Sequence, residues 1–193
     1  MESNEARFIH LVQQIGIVGA KASNAYNEAQ GNLKLDQVLT PSRLSSGDGI
    51  RASLDTLEHL SLLTSAHKAA FAKFMTGAVG QLAEVLSELP EQRGAELREG
   101  LVKSVNWNLN AQSILYAQRE KWIAVAQDIC KFVESRRESI TFSEEGLAFD
   151  STDDLEQFTH LVSTADHLHQ LEITQATERI RRLKESLAVL GVQ

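Results

Sequence analysis

The chain has 193 residues, of which 42% are hydrophobic and 23% are charged, and its formal net charge is −7. This length fits a single domain over residues 1–193 that buries a continuous core without disulfides or metal ions. The acidic balance argues against binding to nucleic acid or to an anionic membrane surface, because both favour a concentrated basic face. Only two prolines and a 6% share of aromatic residues favour an all-α fold.

The N-terminal residues do not have the pattern of a secretory signal. Glu2 and Glu5 make this region acidic, whereas a signal peptide begins with basic residues. The apolar run over residues 15–20 is much too short to span a bilayer. We therefore expect a cytoplasmic protein without a membrane span, while export by a specialised machine, which needs no cleavable signal, stays open.

The first predicted helix covers about residues 3–30, where apolar side chains recur at spacings of three and four. Gly31 ends it. The connection that follows, residues 32–46, is too apolar for a free linker, so we expect it to pack over one end of the bundle and to contain one short helical turn. The candidate N-caps of the next helix are Ser45, Ser46 and Asp48.

Two long helical patterns come next, over about residues 47–89 and 91–138, with Pro90 between them. A hinge this short between two long helices predicts an antiparallel hairpin. Cys130 lies in an apolar stretch of the third helix and is expected to be buried. The expected core stripes are Ile50, Leu54, Leu57, Leu60, Leu63, Ala66, Ala70, Phe74, Ala78, Leu82, Val85 and Leu89 on the second helix, and Leu97, Leu101, Val105, Leu115, Trp122, Ala126, Ile129 and Val133 on the third.

Residues 140–149 have the alternation of a β-strand on both sides of a turn in which Gly146 can take a positive φ. This pattern predicts a small β-hairpin, or an ordered loop, between the third and fourth helices. The fourth helix is predicted over about residues 152–190 and begins at a capping box formed either by Ser151 with Asp154 or by Asp153 with Glu156. The chain as a whole is predicted to be an elongated antiparallel four-helix bundle.

Two charged residues interrupt the apolar stripes of the third and fourth helices. Folding these helices against each other about the 139–151 loop brings Arg119 and Glu172 to the same level, one turn from His169. Because a buried charge is costly unless it is paired, we predict an Arg119–Glu172 ion pair, although both residues could instead lie in solvent. Arg119, His169 and Glu172 form the candidate polar layer of the bundle.

The six histidines raise the question of a metal site. Asp166 and His169 lie on adjacent turns of one helix, but the chain has no Glu-x-x-His motif of the kind that di-iron bundles use. The glycine pairs Gly16/Gly19 and Gly77/Gly80 lie within helices and are interpreted as points of close helix contact or of a local bend, and the position of Gly19 on the apolar stripe favours close contact there. We therefore expect no metal, no cofactor and no enzymatic activity.

These patterns favour a non-enzymatic helical protein–protein interaction module with a protein partner, and a homodimer that covers residual apolar surface. The alternative is a ligand-sensing or metal-binding helical bundle that uses the polar layer. A pocket that opens on Arg119, His169 and Glu172 would favour the alternative, whereas a filled core at that level would favour the interaction module.

Overall fold

The structure is a computed structural model that describes residues 4–143 and 146–189, without the side chains of residues 180 and 183–189. It is 88% helical, with long helices packed against each other and one small two-stranded sheet, which confirms the predicted all-α class. The described elements are α1 (Asn4–Gly31), α2 (Pro41–Leu44), α3 (Gly47–Ser87), α4 (Glu91–Ser135), β1 (Ile140–Ser143), β2 (Gly146–Phe149) and α5 (Thr152–Val189).

The helix boundaries lie close to the predicted ones, with two differences. The third predicted helix was expected to reach residue 138, but α4 ends at Ser135, because Arg137–Ser139 tighten into a 3-10 turn. The second difference is the helix count of five instead of four, because the short turn expected within residues 32–46 is present as α2, which begins at Pro41, where the missing N–H costs no helical hydrogen bond. The arrangement as one elongated four-helix bundle stays a prediction.

Two of the predicted helix caps are present. The amide of Gly49 donates to the Ser46 hydroxyl at 3.0 Å at the start of α3. The amide of Asp154 donates to the Ser151 hydroxyl at 3.3 Å at the start of α5. Each cap satisfies one amide that the first helical turn leaves without a partner.

The chain divides into two compact units, and α3 and α4 contribute to both. Among the described residues, unit 1 comprises residues 4–32 and 62–113, and unit 2 comprises residues 33–61 and 114–189. A single domain over the whole chain stays a prediction.

Unit 2 has a filled apolar core. Leu57, Leu60, Ile129 and Val133 are fully buried, and so is Cys130, as predicted. Aliphatic side chains at these positions fill the space between α3, α4 and α5 because they recur at helical spacing. The remaining buried members of this core are Val38, Leu44, Ile50, Ile123, Ala126, Ile140 and Ala165.

The predicted β-hairpin is present in unit 2. Ile140 of β1 lies opposite Phe149 of β2, and Gly146 adopts a φ of 141°, in the region that favours glycine. The ring of Phe149 lies 5.0 Å from that of Phe158 on α5 and 6.1 Å from that of Phe132 on α4. The hairpin is therefore anchored by aromatic contacts to both helices, since a hairpin of this size is marginal alone.

Unit 1 has a smaller core, in which α1 runs antiparallel to α3. At one end Arg7 pairs with Glu88 at 2.6 Å. At the other end the Tyr26 hydroxyl lies 3.3 Å from that of Thr64, and the Tyr26 ring stacks on His67 at 4.1 Å. The buried core cluster comprises Phe8, Leu82, Val85 and Leu86.

The stripe predicted on the second helix is wrong in the middle of α3. Ala66 and Ala70 are exposed and Leu63 is only half-buried, whereas Thr64 is 2% exposed and bonds to Tyr26. Apolar residues followed in steps of three and four drift around a straight helix, so the stripe leaves the inward face at this level.

Candidate functional site

The predicted ion pair between Arg119 and Glu172 is present in unit 2. Arg119 is 7% exposed, and its Nη2 donates to Oε1 of Glu172, whose side chain is 16% exposed. Arg119 lies on the inward face of α4 because it shares helical spacing with Tyr116 and Ile123, which are also buried. The carboxylate of Glu172 offsets the large cost of burying this guanidinium.

The third residue of the predicted layer does not join the pair. His169 is exposed on α5, next to the pair in sequence but outside the contact that Arg119 and Glu172 form. The face of α5 that carries Glu172 continues instead through Gln175 and Arg179, three and seven residues later. Sequence reasoning missed these two, although their spacing from Glu172 is the signal that would have found them.

These side chains are called here the buried polar seam, defined as Arg119, which is buried, and Glu172, Gln175 and Arg179, which are half-buried. Burial lowers the pKa of the Arg179 guanidinium, although nearby Tyr116 has a smaller, opposite effect. Within the part of the chain that the structure describes, Arg119 Nε and Gln175 Oε1 are buried without a hydrogen-bond partner from the protein. Among those same residues, no group of three or more His, Cys, Asp or Glu is placed to hold a metal ion.

A cavity of about 520 Å³ opens in unit 1, between α1 and α3. Its volume lies within the range of protein binding pockets. Most of its lining is apolar. The lining residues recur at spacings of three and four along each helix, so they lie on one face of α1 and one face of α3. This α1–α3 groove is lined by Leu11, Gln14, Ile15 and Val18 from α1, and by Ala70, Lys73, Phe74, Gly77, Ala78 and Gln81 from α3.

The groove is open because α3 presents small residues where α1 presents larger ones. A Cβ added at Gly77 would have no neighbour within 4 Å, so no part of the described chain fills the space beside it. Val18, on the opposite wall, is 50% exposed. Close helix contact therefore holds for Gly19, where an added Cβ would lie 3.6 Å from the Phe74 ring, and is wrong for Gly16, Gly77 and Gly80, where an added Cβ would meet nothing within 4 Å. A local bend at these three glycines stays a prediction.

Contacts on both sides of the groove hold its walls in place. Tyr26 joins α1 to α3 beyond one end, and the Arg7–Glu88 pair joins them beyond the other. Phe8 packs with Leu82 and Val85 near the second of these contacts. The groove is therefore a preformed feature of unit 1, as binding sites on proteins usually are.

The chain matches no protein-family model, no curated protein and no solved structure. None of the helices in residues 4–143 and 146–189 is both long enough and apolar enough to cross a membrane. Within the described residues, the buried polar seam of unit 2 and the α1–α3 groove of unit 1 are two features on which a proposal can be built.

Proposed function

We propose that this protein is a non-enzymatic helical protein–protein interaction module and that its contact surface is the α1–α3 groove. The observation that carries this proposal is the open, mostly apolar groove of about 520 Å³ between two helices that are joined at both ends. Partner helices bind such grooves through apolar side chains spaced at i, i+3, i+4 and i+7. The proposed ligand is therefore an amphipathic helix.

The dimensions of the groove suit a short segment of helix. Its lining extends over residues 11–18 of α1 and 70–81 of α3. At about 1.5 Å per residue these segments are roughly 10 and 16 Å long, which corresponds to two or three turns of a bound helix. Covering a half-exposed aliphatic side chain contributes about 1 kcal/mol, so a contact of this size favours reversible binding of moderate affinity.

The alternative inferred from the sequence is a ligand-sensing or metal-binding bundle that uses Arg119, His169 and Glu172. The described cavity lies instead in unit 1, where it is lined by residues 11–18 and 70–81. Arg119 directs its guanidinium at Glu172, and His169 is exposed. No observation favours this alternative over the interaction module, and it stays a prediction, as does the cytoplasmic location.

We retain the homodimer as part of the proposal. Several large apolar side chains remain half-exposed in unit 1, among them Ile17 on α1 and Val102 and Leu109 on α4. A second copy that covers them would remove apolar surface from water. Light scattering at micromolar concentration is expected to give twice the chain mass of 21.3 kDa. A single-chain mass at every concentration would overturn this part of the proposal.

The groove itself can be tested by filling it from within the chain. Gly77→Leu places a side chain in the open space of the groove, and it replaces a helical glycine with a better helix former, so the fold should be retained. Gly80→Leu is the matched control, because Gly80 also lies in α3 with nothing within 4 Å of an added Cβ but does not line the groove. Both variants should keep the circular dichroism spectrum of the wild type.

The binding assay uses a displayed library of helical peptides of roughly 18 residues, about five turns, with leucines fixed at i, i+4, i+7 and i+11. Peptides enriched on the wild type should lose at least tenfold in affinity for Gly77→Leu and keep their affinity for Gly80→Leu. If no peptide is enriched, or if Gly77→Leu binds every enriched peptide as well as the wild type does, the groove is not a helix-binding site.

A further inference from the structure

We propose that the occupant of the α1–α3 groove is an amphipathic helix of a partner protein with an acidic side chain at the end that faces Lys21 and Lys73. This inference rests on the proposed function, because it specifies the chemistry of the helix that the groove binds. It is carried by the distribution of charge along the two walls of the groove.

One end of the groove carries positive charge. Lys73 is part of its lining, and Lys21 lies one turn beyond Val18 on the same face of α1. Because α1 runs antiparallel to α3, with Gly19 beside Phe74, the two lysines lie at the same end of the groove. Neither of them forms an ion pair with any residue that the structure describes, and the lining contains no carboxylate.

The opposite end of the groove has a different character. Gln14 and Gln81 supply amide groups there, and the exposed Glu84 follows one turn beyond Gln81 on α3. Arg7, one turn before Leu11 on α1, is already paired with Glu88, so Glu84 leaves this end with a negative balance. A helix with an acidic side chain at this end would face a like charge, whereas the same side chain at the other end would face Lys21 and Lys73. Such rim charges select the partner and its direction more than they add affinity.

A second copy of this chain is a poorer occupant than a partner helix. A symmetric dimer across the groove would place the same concave lining on both sides, so neither surface could fill the other. It would also bring Lys73 toward an identical lining that supplies no carboxylate. The proposed homodimer is therefore assigned to apolar surface outside the groove, such as Val102 and Leu109 on α4.

The test adds charge variation to the peptide library. Positions that flank the fixed leucines are allowed to be Glu, Gln or Lys, and selection is carried out on the full-length wild-type chain. Among peptides that bind the wild type and not Gly77→Leu, glutamate should be enriched at one end only. The affinity of these peptides should fall about fivefold for Lys73→Glu, the usual size of an exposed charge effect, and should recover when the terminal glutamate is replaced by lysine.

Lys131→Glu is the charge-matched control. It changes the net charge of the chain by the same amount, but Lys131 is an exposed residue of unit 2. Peptide affinity for this variant should stay at the wild-type value. An equal loss in Lys131→Glu and Lys73→Glu would show that net charge, and not a local contact, determines the preference, and would overturn the inference.

The other outcomes separate this inference from the function on which it rests. If the selected peptides depend on the groove but show no preference for glutamate at either end, the inference that the partner helix is acidic is wrong, while the proposal that the groove binds a helix is retained. A dimer that dissociates in Gly77→Leu and persists in Gly80→Leu would identify a second copy as the occupant, which also overturns the inference. If no peptide depends on the groove and the association state of Gly77→Leu equals that of the wild type, the proposal that the groove is a binding site is wrong.

Discussion

The two units use parts of the same two helices, α3 and α4, and fill their interiors to different degrees. In unit 2 the inward positions of these helices carry residues such as Leu57, Ile129 and Val133, which have no measurable exposure. In unit 1 the middle of α3 carries Ala70 and Gly77, and a groove remains beside them. Side-chain size, more than the spacing of apolar residues, therefore separates the filled core of unit 2 from the open groove of unit 1.

The largest expected effect compares one substitution in both units. Ile129→Ala removes a fully buried side chain of unit 2 and should lower the free energy of unfolding by about 2–5 kcal/mol. Ile15→Ala truncates a half-buried side chain that lines the groove and should lower the free energy of unfolding by about 1 kcal/mol, because this side chain buries less apolar surface than Ile129 does. Urea melts measure both values, and equal losses would contradict the contrast between the two units.

Leucines on α3 extend this comparison along one helix. The sequence pattern places Leu57 and Leu63 on one stripe and predicts equal costs for their truncation. The structure buries Leu57 fully and leaves Leu63 half-exposed. Leu57→Ala should therefore cost about 2–5 kcal/mol and Leu63→Ala less than half of that loss. A loss of stability for Leu63→Ala as large as that for Leu57→Ala would show that both leucines lie on the buried face, as the sequence pattern predicts.

The next effect concerns the buried polar seam. Glu172→Gln leaves the Arg119 guanidinium buried without its carboxylate and should destabilise the chain by about 3 kcal/mol. Replacing both residues with leucine should recover most of this loss, because a well-packed apolar pair avoids the cost of removing charges from water. Chemical denaturation of the single and double variants measures the effect.

An exposed ion pair provides the control for this substitution. Glu99 and Lys103 lie at 2.7 Å on one face of α4, with side chains 70% and 75% exposed. Glu99→Gln should change stability by less than about 0.5 kcal/mol, as is usual for exposed pairs. A Glu172→Gln variant that matches it would show that the seam is solvated in solution.

The sequence predicted the helices and their contacts better than it predicted the α1–α3 groove. Helix boundaries, the caps at Ser46 and Ser151 and the ion pair of Arg119 all follow from local rules such as spacing, capping and the cost of a buried charge. The groove does not, because a glycine on a helix can mark either close contact, as at Gly19, or empty space, as at Gly77. Only the position of the opposite helix distinguishes the two.

A pH-dependent effect of intermediate size is expected in unit 2. Burial raises the pKa of the Cys130 thiol from 9.0 to about 11. The unfolded chain therefore loses this proton at lower pH than the folded chain, so the contribution of Cys130 to stability is complete below about pH 9 and is lost as the pH rises toward about 11. The loss amounts to about 2 kcal/mol.

Urea melts of the wild type and of Cys130→Ala on both sides of this pH range measure the effect of the thiol. Other groups also titrate there, so the quantity to compare is the difference between the two chains in their loss of stability with pH. The wild type should lose more. Parallel losses in both chains would show that Cys130 is accessible to solvent, which would weaken the description of the core of unit 2 as filled.

The smallest expected effect separates open glycines from packed ones within unit 1. Gly77→Ala adds a methyl group where nothing lies within 4 Å and should stabilise the chain by about 0.5–1 kcal/mol through helix propensity. Gly94→Ala places its Cβ 3.2 Å from the carbonyl oxygen of Leu86, a backbone atom that cannot easily move, so any gain in propensity should be cancelled or reversed. Thermal melts of the two variants should therefore shift in opposite directions or differ clearly in size. If Gly94→Ala raises the melting temperature as much as Gly77→Ala does, α4 lies farther from the end of α3 than the structure shows. If Gly77→Ala lowers the melting temperature, another part of the chain already fills the groove.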